Sequence, residues 1–211
     1  MKKTILKKTR LEEKQFETAL SELFDRELLV KRDEDRLWVN SKELCKEYRE
    51  YYKKRQEVLL EWVQEWKQQE KIASKLNHFY LEDKLLYDFS EKLLEKAIVE
   101  ILVANPYVER CHLSNLLMDM SEKGVNVTLV TRLWPEQRKR KYLTKLSEKS
   151  VAVNYDGSVH SKLIVADLRV AIVSSMNFFA ASSGGASWEA GLATIDEDVV
   201  QSIAQSIKNK I

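Results

Sequence analysis

The sequence predicts an α/β protein: a layered domain on a mixed β-sheet, preceded by a small α(+β) segment and one long helix. From residue 78 onward, short apolar runs alternate with helical stretches, the pattern of strands covered by helices. Between residues 41 and 77 a helical stripe runs on with no glycine or proline to stop it. The 211 residues suffice for one domain with an appendage. Hydrophobic residues at 44% exclude wholesale disorder, and 5 glycines with 2 prolines exclude collagen-like and proline-rich chains.

Residues 1–40 predict a short helix, a longer helix and a hairpin. Across Glu13–Val30, the apolar residues Phe16, Ala19, Leu20, Leu23, Phe24 and Leu28 recur at helical spacing. Leu29-Val30-Lys31 and Arg36-Leu37-Trp38-Val39 then flank the polar turn Asp33-Glu34-Asp35. This is the order of the later part of a winged helix-turn-helix, without its usual first helix; a generic helical hairpin with a β-turn is the alternative. Residues 41–77 predict one long helix with Ser41 as N-cap and Glu43 in the first turn. Positions 44, 48, 51, 55, 58, 62, 65, 69, 72 and 76 read Leu, Tyr, Tyr, Arg, Val, Trp, Glu, Gln, Ile and Leu, a coiled-coil-like seam that Tyr52, Leu59 and Trp66 widen. Such a stripe needs a partner, either a second copy in a dimer or the rest of the chain.

Residues 78–211 form the layered domain. Helix Glu82–Lys96 leads to strand Ala97–Ala104, and helix Cys111–Lys123 stops at Gly124. Strand Val125–Thr131, the basic helix Pro135–Lys149 and strand Val151–Tyr155 follow, then the turn Asp156-Gly157-Ser158. Strands Val159–Ala166, Val170–Ser174 and Ala190–Ile195 and the helix Glu197–Lys208 complete it, with a mostly parallel first half.

Several classes drop out. No run of about 18 apolar residues is present to span a membrane, and the basic start Met1–Arg10 lacks the apolar stretch of a secretory signal. Cys45 and Cys111 lie far apart and make neither a disulfide framework nor a metal set, so a reducing cytoplasm is the expected compartment. The net charge of +2 is unevenly spread. Lys2, Lys3, Lys7, Lys8 and Arg10 form one basic cluster; Arg132, Arg138, Lys139, Arg140, Lys141, Lys145 and Lys149 form another. Such clusters attract polyanions, and a solvated lysine-rich helix face is the alternative.

The chemistry concentrates between Val159 and Phe178. Alternation along a strand gives His160 and Lys162 one face and Leu163 and Val165 the other. Asp167 falls at the turn, and the returning strand delivers Ser175 and Asn177. One hairpin thus collects an imidazole, an ammonium, a hydroxyl and an amide on apolar strands. This set fits phosphoryl transfer. An imidazole nitrogen attacks phosphorus, lysine holds the non-bridging oxygens, and Asn and Ser add uncharged donors. A carboxylate could orient the imidazole. No metal-ligand set gathers here, so neither a metal nor another cofactor is required. Arg132, at the carboxyl end of its strand, is a candidate grip for a flanking phosphate, with a surface arginine as the alternative. Trp134 could stack on a base, with core packing as its alternative.

His160, Lys162 and Asp167 in the spacing His-x-Lys-x4-Asp, followed by Ser175-x-Asn177, resemble the phospholipase D superfamily. Ser174 stands where that family often has glycine. Glu189, in Trp188-Glu189-Ala190-Gly191, sits where nuclease members carry an acidic residue, and the run ending Asn105-Pro106-Tyr107 resembles the first core strand. The resemblance spans roughly residues 80–211 and implies a phospholipase D-like layered catalytic domain. It implies catalytic roles for His160, Lys162, Asn177, Ser175 and Glu189, and for Asp167 a role more often structural than chemical. The family builds one active site from two such motifs; this chain has one, since His78 and His112 lack a lysine two residues on. The implication is a homodimer sharing one site, in which one His160 forms phosphohistidine and the other works as acid and base.

The expected partners are DNA, through Arg132 and Arg138–Lys141 and the winged-helix-like start, and a second copy of the chain; no membrane is expected. The expected organisation is a winged-helix-like segment (1–40), a dimerisation helix (41–77) and the catalytic domain (78–211). Archaeal transcription regulators also join a winged helix, a coiled coil and a phospholipase D-like effector domain, which makes a DNA-binding regulator the second reading. The intact His160, Lys162, Asn177 and Glu189 favour the enzyme. A lipid-acting phosphodiesterase ranks third.

Overall fold

The computed structural model describes residues 13–33, 36–73, 75–183 and 187–211. The expected helix before residue 13 and the turn residues Glu34 and Asp35 lie outside them. Two compact units divide the chain, Met1–Lys54 and Arg55–Ile211.

In the first unit, helix α1 (Glu13–Asp25) is followed by the antiparallel hairpin β1 (Leu29–Asp33) and β2 (Arg36–Val39). The helix stops short of the expected Val30 because Glu27 turns left-handed, at φ 56°. The amides of Glu27 and Leu28 then close back onto the carbonyls of Phe24 and Leu23, each at 2.9 Å. Helix α2 (Ser41–Gln69) begins here, and its N-cap is Asn40 rather than Ser41. The Asn40 carbonyl accepts the Leu44 amide at 2.9 Å and its side chain accepts the Glu43 amide at 3.5 Å.

The helix ends at Gln69, short of residue 77, and His78–Glu82 form a strand that the sequence reading missed. In order the second unit holds β3 (His78–Glu82), α3 (Asp83–Lys96), β4 (Glu100–Ala104), α4 (His112–Glu122), β5 (Asn126–Thr131), α5 (Gln137–Glu148) and β6 (Ala152–Tyr155). Then come β7 (Leu163–Ala166), β8 (Val170–Ser174), α6 (Ala180–Ser183), β9 (Ala190–Thr194) and α7 (Glu197–Lys208). The sheet runs β3-β9-β8-β7-β4-β5-β6. Strands β4, β5 and β6 are parallel; every other neighbouring pair is antiparallel.

One face of this sheet packs Phe79, Leu81, Ile101, Val103, Ile164 and Ile172 against α3, α4, α5 and the second half of α2. Leu59, Val63 and Trp66 of α2 are buried there, each worth about 1.5–3 kcal/mol as a buried side chain. Trp66 meets Phe89 at 4.6 Å between ring centroids, and Trp62 stacks on Phe89 at 5.3 Å. The stripe's partner over this half is therefore the chain itself, whereas the seam residues Leu44, Tyr51 and Val58 stay exposed. The buried Lys67 ammonium donates to the Leu76 carbonyl at 2.6 Å, and burial lowers its pKa. The other face packs Leu102, Ala104, Val130, Val165 and Ala171 against Val200, Ala204 and Ile207 of α7.

Candidate active site

The strand directions decide what meets what. Because β7 runs against β4, β8 against β7 and β9 against β8, one edge of the sheet collects alternate ends of these strands. These are the carboxyl ends of β4, β5 and β8 and the amino ends of β7 and β9. His160 and Lys162 lead into β7, Ser175 and Asn177 leave β8, Glu189 leads into β9, and Arg132 leaves β5. Six predicted residues, distant in the chain, therefore share one edge.

Strand β7 begins only at Leu163, so His160 and Lys162 lie on its extended lead-in. The Ser174 amide bonds the Lys162 carbonyl at 3.0 Å, which ties that lead-in to the end of β8. His160 is exposed. The half-buried Lys162 donates one ammonium hydrogen to the His160 carbonyl at 2.7 Å, leaving two for a ligand. Burial lowers the Lys162 pKa; the nearby Glu189 carboxylate opposes this and the Arg132 guanidinium adds to it. Those two influences put Lys162, Glu189 and Arg132 in one electrostatic cluster, and the Arg132 Nε is buried without a hydrogen-bond partner among the described residues.

Glu189 is buried, and serines hold both its carboxylate oxygens. Ser175 donates to Oε2 and Ser182, which the sequence reading did not single out, donates to Oε1. The carboxylate therefore does not orient His160 within the chain. Ser175 in turn accepts the Ala190 amide at 3.1 Å. The Glu189 amide donates to Asp83 at 3.1 Å, and the Asp83 amide returns to the Glu189 carbonyl at 2.8 Å. Asn105, buried at the end of β4, donates to the Met176 carbonyl at 3.1 Å and accepts the Tyr107 amide at 3.2 Å, which clamps the loop after β8. Only the folded arrangement identifies Ser182 and Asp83 as supports, because nothing in their local sequence marks them; Asn105 lies in the run that carries the family resemblance, and the fold adds its clamping role.

Asp167 is not part of this cluster, which corrects its place among the catalytic candidates. It follows β7 and so lies at the opposite edge of the sheet. Its buried carboxylate accepts the amides of Ile98 at 3.0 Å, Val99 at 2.7 Å and Glu100 at 3.0 Å. Burial pushes its pKa up, and those amides pull the other way. Asp167 and Leu168 both take positive φ, 52° and 53°, as a type I′ turn requires. The residue therefore fixes a turn and the entry to β4.

The basic candidates lie at the start of α5, just beyond Arg132. Lys139 is engaged by Glu109 at 3.3 Å and Glu136 at 3.5 Å, and sits 4.9 Å over the Trp134 ring. Trp134 stacks on Tyr107 at 4.6 Å and donates to the Pro106 carbonyl at 2.8 Å, so it packs rather than offering a bare ring. Arg140 donates to the Pro135 carbonyl. Arg138 lines a cavity of about 320 Å³ with Glu109, Arg110, Lys139 and Tyr142, and Lys141 is exposed. Outside the site, His78 bonds Thr194 at 2.8 Å and His112 meets Glu91 at 2.6 Å. No described helix is long and apolar enough to cross a membrane.

A mixed sheet that carries imidazole, ammonium and amide groups on one edge offers what phosphoryl transfer uses: a nucleophile and donors for the non-bridging oxygens. Residues 91–211 match the family model described as cardiolipin synthase, PLD-like domain, and the chain belongs to the phospholipase D superfamily. Its fold is similar to that of a phospholipase D family member, Nuc, from Salmonella typhimurium, with 12% identity and a TM-score of 0.57 over 63% of this chain and 93% of that one. NucT from Helicobacter pylori is similar at 11% identity and a TM-score of 0.53, over 63% and 94% of the two chains. A phosphatidylserine synthase from Haemophilus influenzae is similar at 12% identity and a TM-score of 0.52, over 63% of this chain but 36% of that one. At these identities the likeness is one of fold. No curated protein sequence matches the chain.

Proposed function

We propose that the chain is a metal-independent phosphodiesterase, a DNA endonuclease, that works as a homodimer through a covalent phosphohistidine. The observation that carries this reading is the single edge that gathers His160, Lys162 and Asn177 once per chain. His160 of one copy attacks phosphorus and forms a P–N bond as the P–O bond to the leaving group breaks. The protonated His160 of the second copy gives its proton to the leaving oxygen. That second imidazole then takes a proton from water, whose oxygen attacks phosphorus and breaks the P–N bond. Lys162 and Asn177 of both copies donate to the non-bridging oxygens throughout.

An exposed apolar row supports a second copy as partner. Tyr80, Leu192 and Val173 stand side by side across β3, β9 and β8 and are 56%, 45% and 43% exposed. Val173 directly precedes Ser174 and Ser175, so the row borders the proposed reaction centre, and a two-fold pairing there brings the two edges together. Arg132, Arg138 and Lys141 near that edge, and the helix-and-hairpin unit at the start, support DNA as the substrate.

The test is cleavage of single- and double-stranded DNA in EDTA by wild type, His160→Ala and Leu192→Asp, with mass by light scattering. Wild type is expected to cleave as a dimer, His160→Ala to be an inactive dimer, and Leu192→Asp to be an inactive monomer. A folded dimer that binds duplex but cleaves neither DNA nor RNA would overturn the nuclease reading in favour of a DNA-binding regulator. Cleavage of phospholipid vesicles alone would favour the lipid enzyme.

A further inference from the structure

We infer that Ser182 is a positioning residue of this site: its hydroxyl joins Asn177 to Glu189 and thereby aims the Asn177 amide and keeps Glu189 off Lys162. The inference rests on the phosphodiesterase reading for its kinetic part.

The geometry is a bridge between two strand ends. Ser182 lies in α6, between the end of β8 and the start of β9, and is 4% exposed. A serine hydroxyl has one proton to give and two lone pairs to offer. The proton goes to Glu189 Oε1, and one lone pair takes the Asn177 amide at 2.9 Å. One buried atom therefore fixes the backbone of a proposed phosphoryl donor and the carboxylate whose charge acts on the proposed lysine.

Asn177 depends on that bond. Its side-chain Oδ1 is buried and has no hydrogen-bond partner among the described residues, so the amide group is not held by an acceptor bond of its own. The backbone on either side sets its aim. The Asn177 amide is anchored on Ser182, and the buried Phe178 is anchored by its amide on the Tyr107 carbonyl at 3.1 Å. Without the Ser182 hydroxyl the first anchor is lost.

Glu189 depends on it as well. Two hydroxyl donors occupy its two oxygens, one each from Ser175 and Ser182. The carboxylate already interacts electrostatically with Lys162. An oxygen freed by loss of Ser182 would seek the ammonium as its next donor, drawing Lys162 away from a phosphoryl group. Both effects weaken transition-state stabilisation more than they weaken substrate binding.

The test compares wild type, Ser182→Ala, Ser182→Thr, Asn177→Ala and the Asn177→Ala/Ser182→Ala double variant on bis(p-nitrophenyl) phosphate and on DNA. Amide hydrogen exchange at Asn177 is followed in parallel. Ser182→Ala is expected to lower kcat by about tenfold or more with KM within about threefold, and Ser182→Thr, which keeps the hydroxyl, to recover most of it. In the Asn177→Ala background, adding Ser182→Ala is expected to cost less than it does alone, because only the effect through Glu189 and Lys162 remains, and the Asn177 backbone amide is expected to exchange faster in Ser182→Ala. Three results would overturn the inference: unchanged kcat in a folded Ser182→Ala, full additivity with Asn177→Ala, or unchanged Asn177 exchange. A wild type inert on every phosphodiester tried would instead remove the parent reading, and the kinetic role of Ser182 with it. The exchange result distinguishes the two failures.

Discussion

Replacing Asp167 with alanine removes the acceptor of three backbone amides, those of Ile98, Val99 and Glu100. An amide left without a partner inside a protein costs roughly 1–3 kcal/mol, so three set a gross range of about 3–9 kcal/mol. Two features pull the net towards the lower end. The amides are only part-buried, so water reaches them once the side chain is gone. The carboxylate itself is unfavourably buried, as its raised pKa indicates, and deleting it recovers that cost. A loss of about 3 kcal/mol follows, or a fall in melting temperature on the order of 6–12 °C for a unit of this size. The assay pairs thermal unfolding with phosphodiester turnover at a temperature where the unfolding curves show both proteins folded. Turnover per folded molecule is expected within about twofold of wild type, since Asp167 lies at the edge opposite His160. An Asp167→Ala protein that melts like wild type but has lost turnover would refute the reasoning and return Asp167 to the chemistry.

Two further predictions concern the frame of the site. Gly191 faces Ser174 across the β8–β9 pair, and a Cβ at 191 would lie 2.8 Å from the Ser174 Cβ and 3.0 Å from the Val173 carbonyl. Gly191→Ala should therefore cost about 1–3 kcal/mol in chemical denaturation, and adding Ser174→Gly should recover part of it; independent, additive effects would contradict this contact. Asp156 is pushed down to about 2 by the Ser158 hydroxyl and amide and by Lys210. A folded pKa below the unfolded one adds stability at pH values above about 4, and that gain is lost as pH falls towards 2. Ser158→Ala should raise the Asp156 pKa in an NMR titration. Its melting temperature should fall below wild type above pH 4 and converge with it near pH 2; a gap that persists at pH 2 would point to another cause.

The alternation of strands and helices across 78–211 was legible because each element carries its own periodicity. The basic helix α5, the hairpin β7–β8 and the last helix fell within a residue or two of expectation, β7 excepted, which starts later. Strand β3 was missed because His78–Glu82 is a five-residue run between two helical stretches, too short for its alternation to stand out, and its pairing with β9 holds it extended. The seam was half misassigned for a related reason. Trp62, Trp66 and Leu59 can serve a coiled coil or a globular core equally well, and periodicity does not name the partner.

The sequence by itself determined the chemistry on offer: an imidazole, an ammonium, an amide and a carboxylate, spaced as the phospholipase D superfamily spaces them. Residue types and short spacings are local properties, and a linear pattern holds them. The tertiary structure alone decided which of those groups share a place. Strand direction sends His160, Lys162, Asn177, Glu189 and Arg132 to one edge and Asp167 to the other. It also recruits Ser182 and Asp83, whose sequence surroundings carry no signal. The physical reason is that an antiparallel neighbour reverses which end of a strand meets a given edge. Adjacency at the site is therefore set by hydrogen-bonded pairing across the sheet, a long-range property that no window of sequence contains.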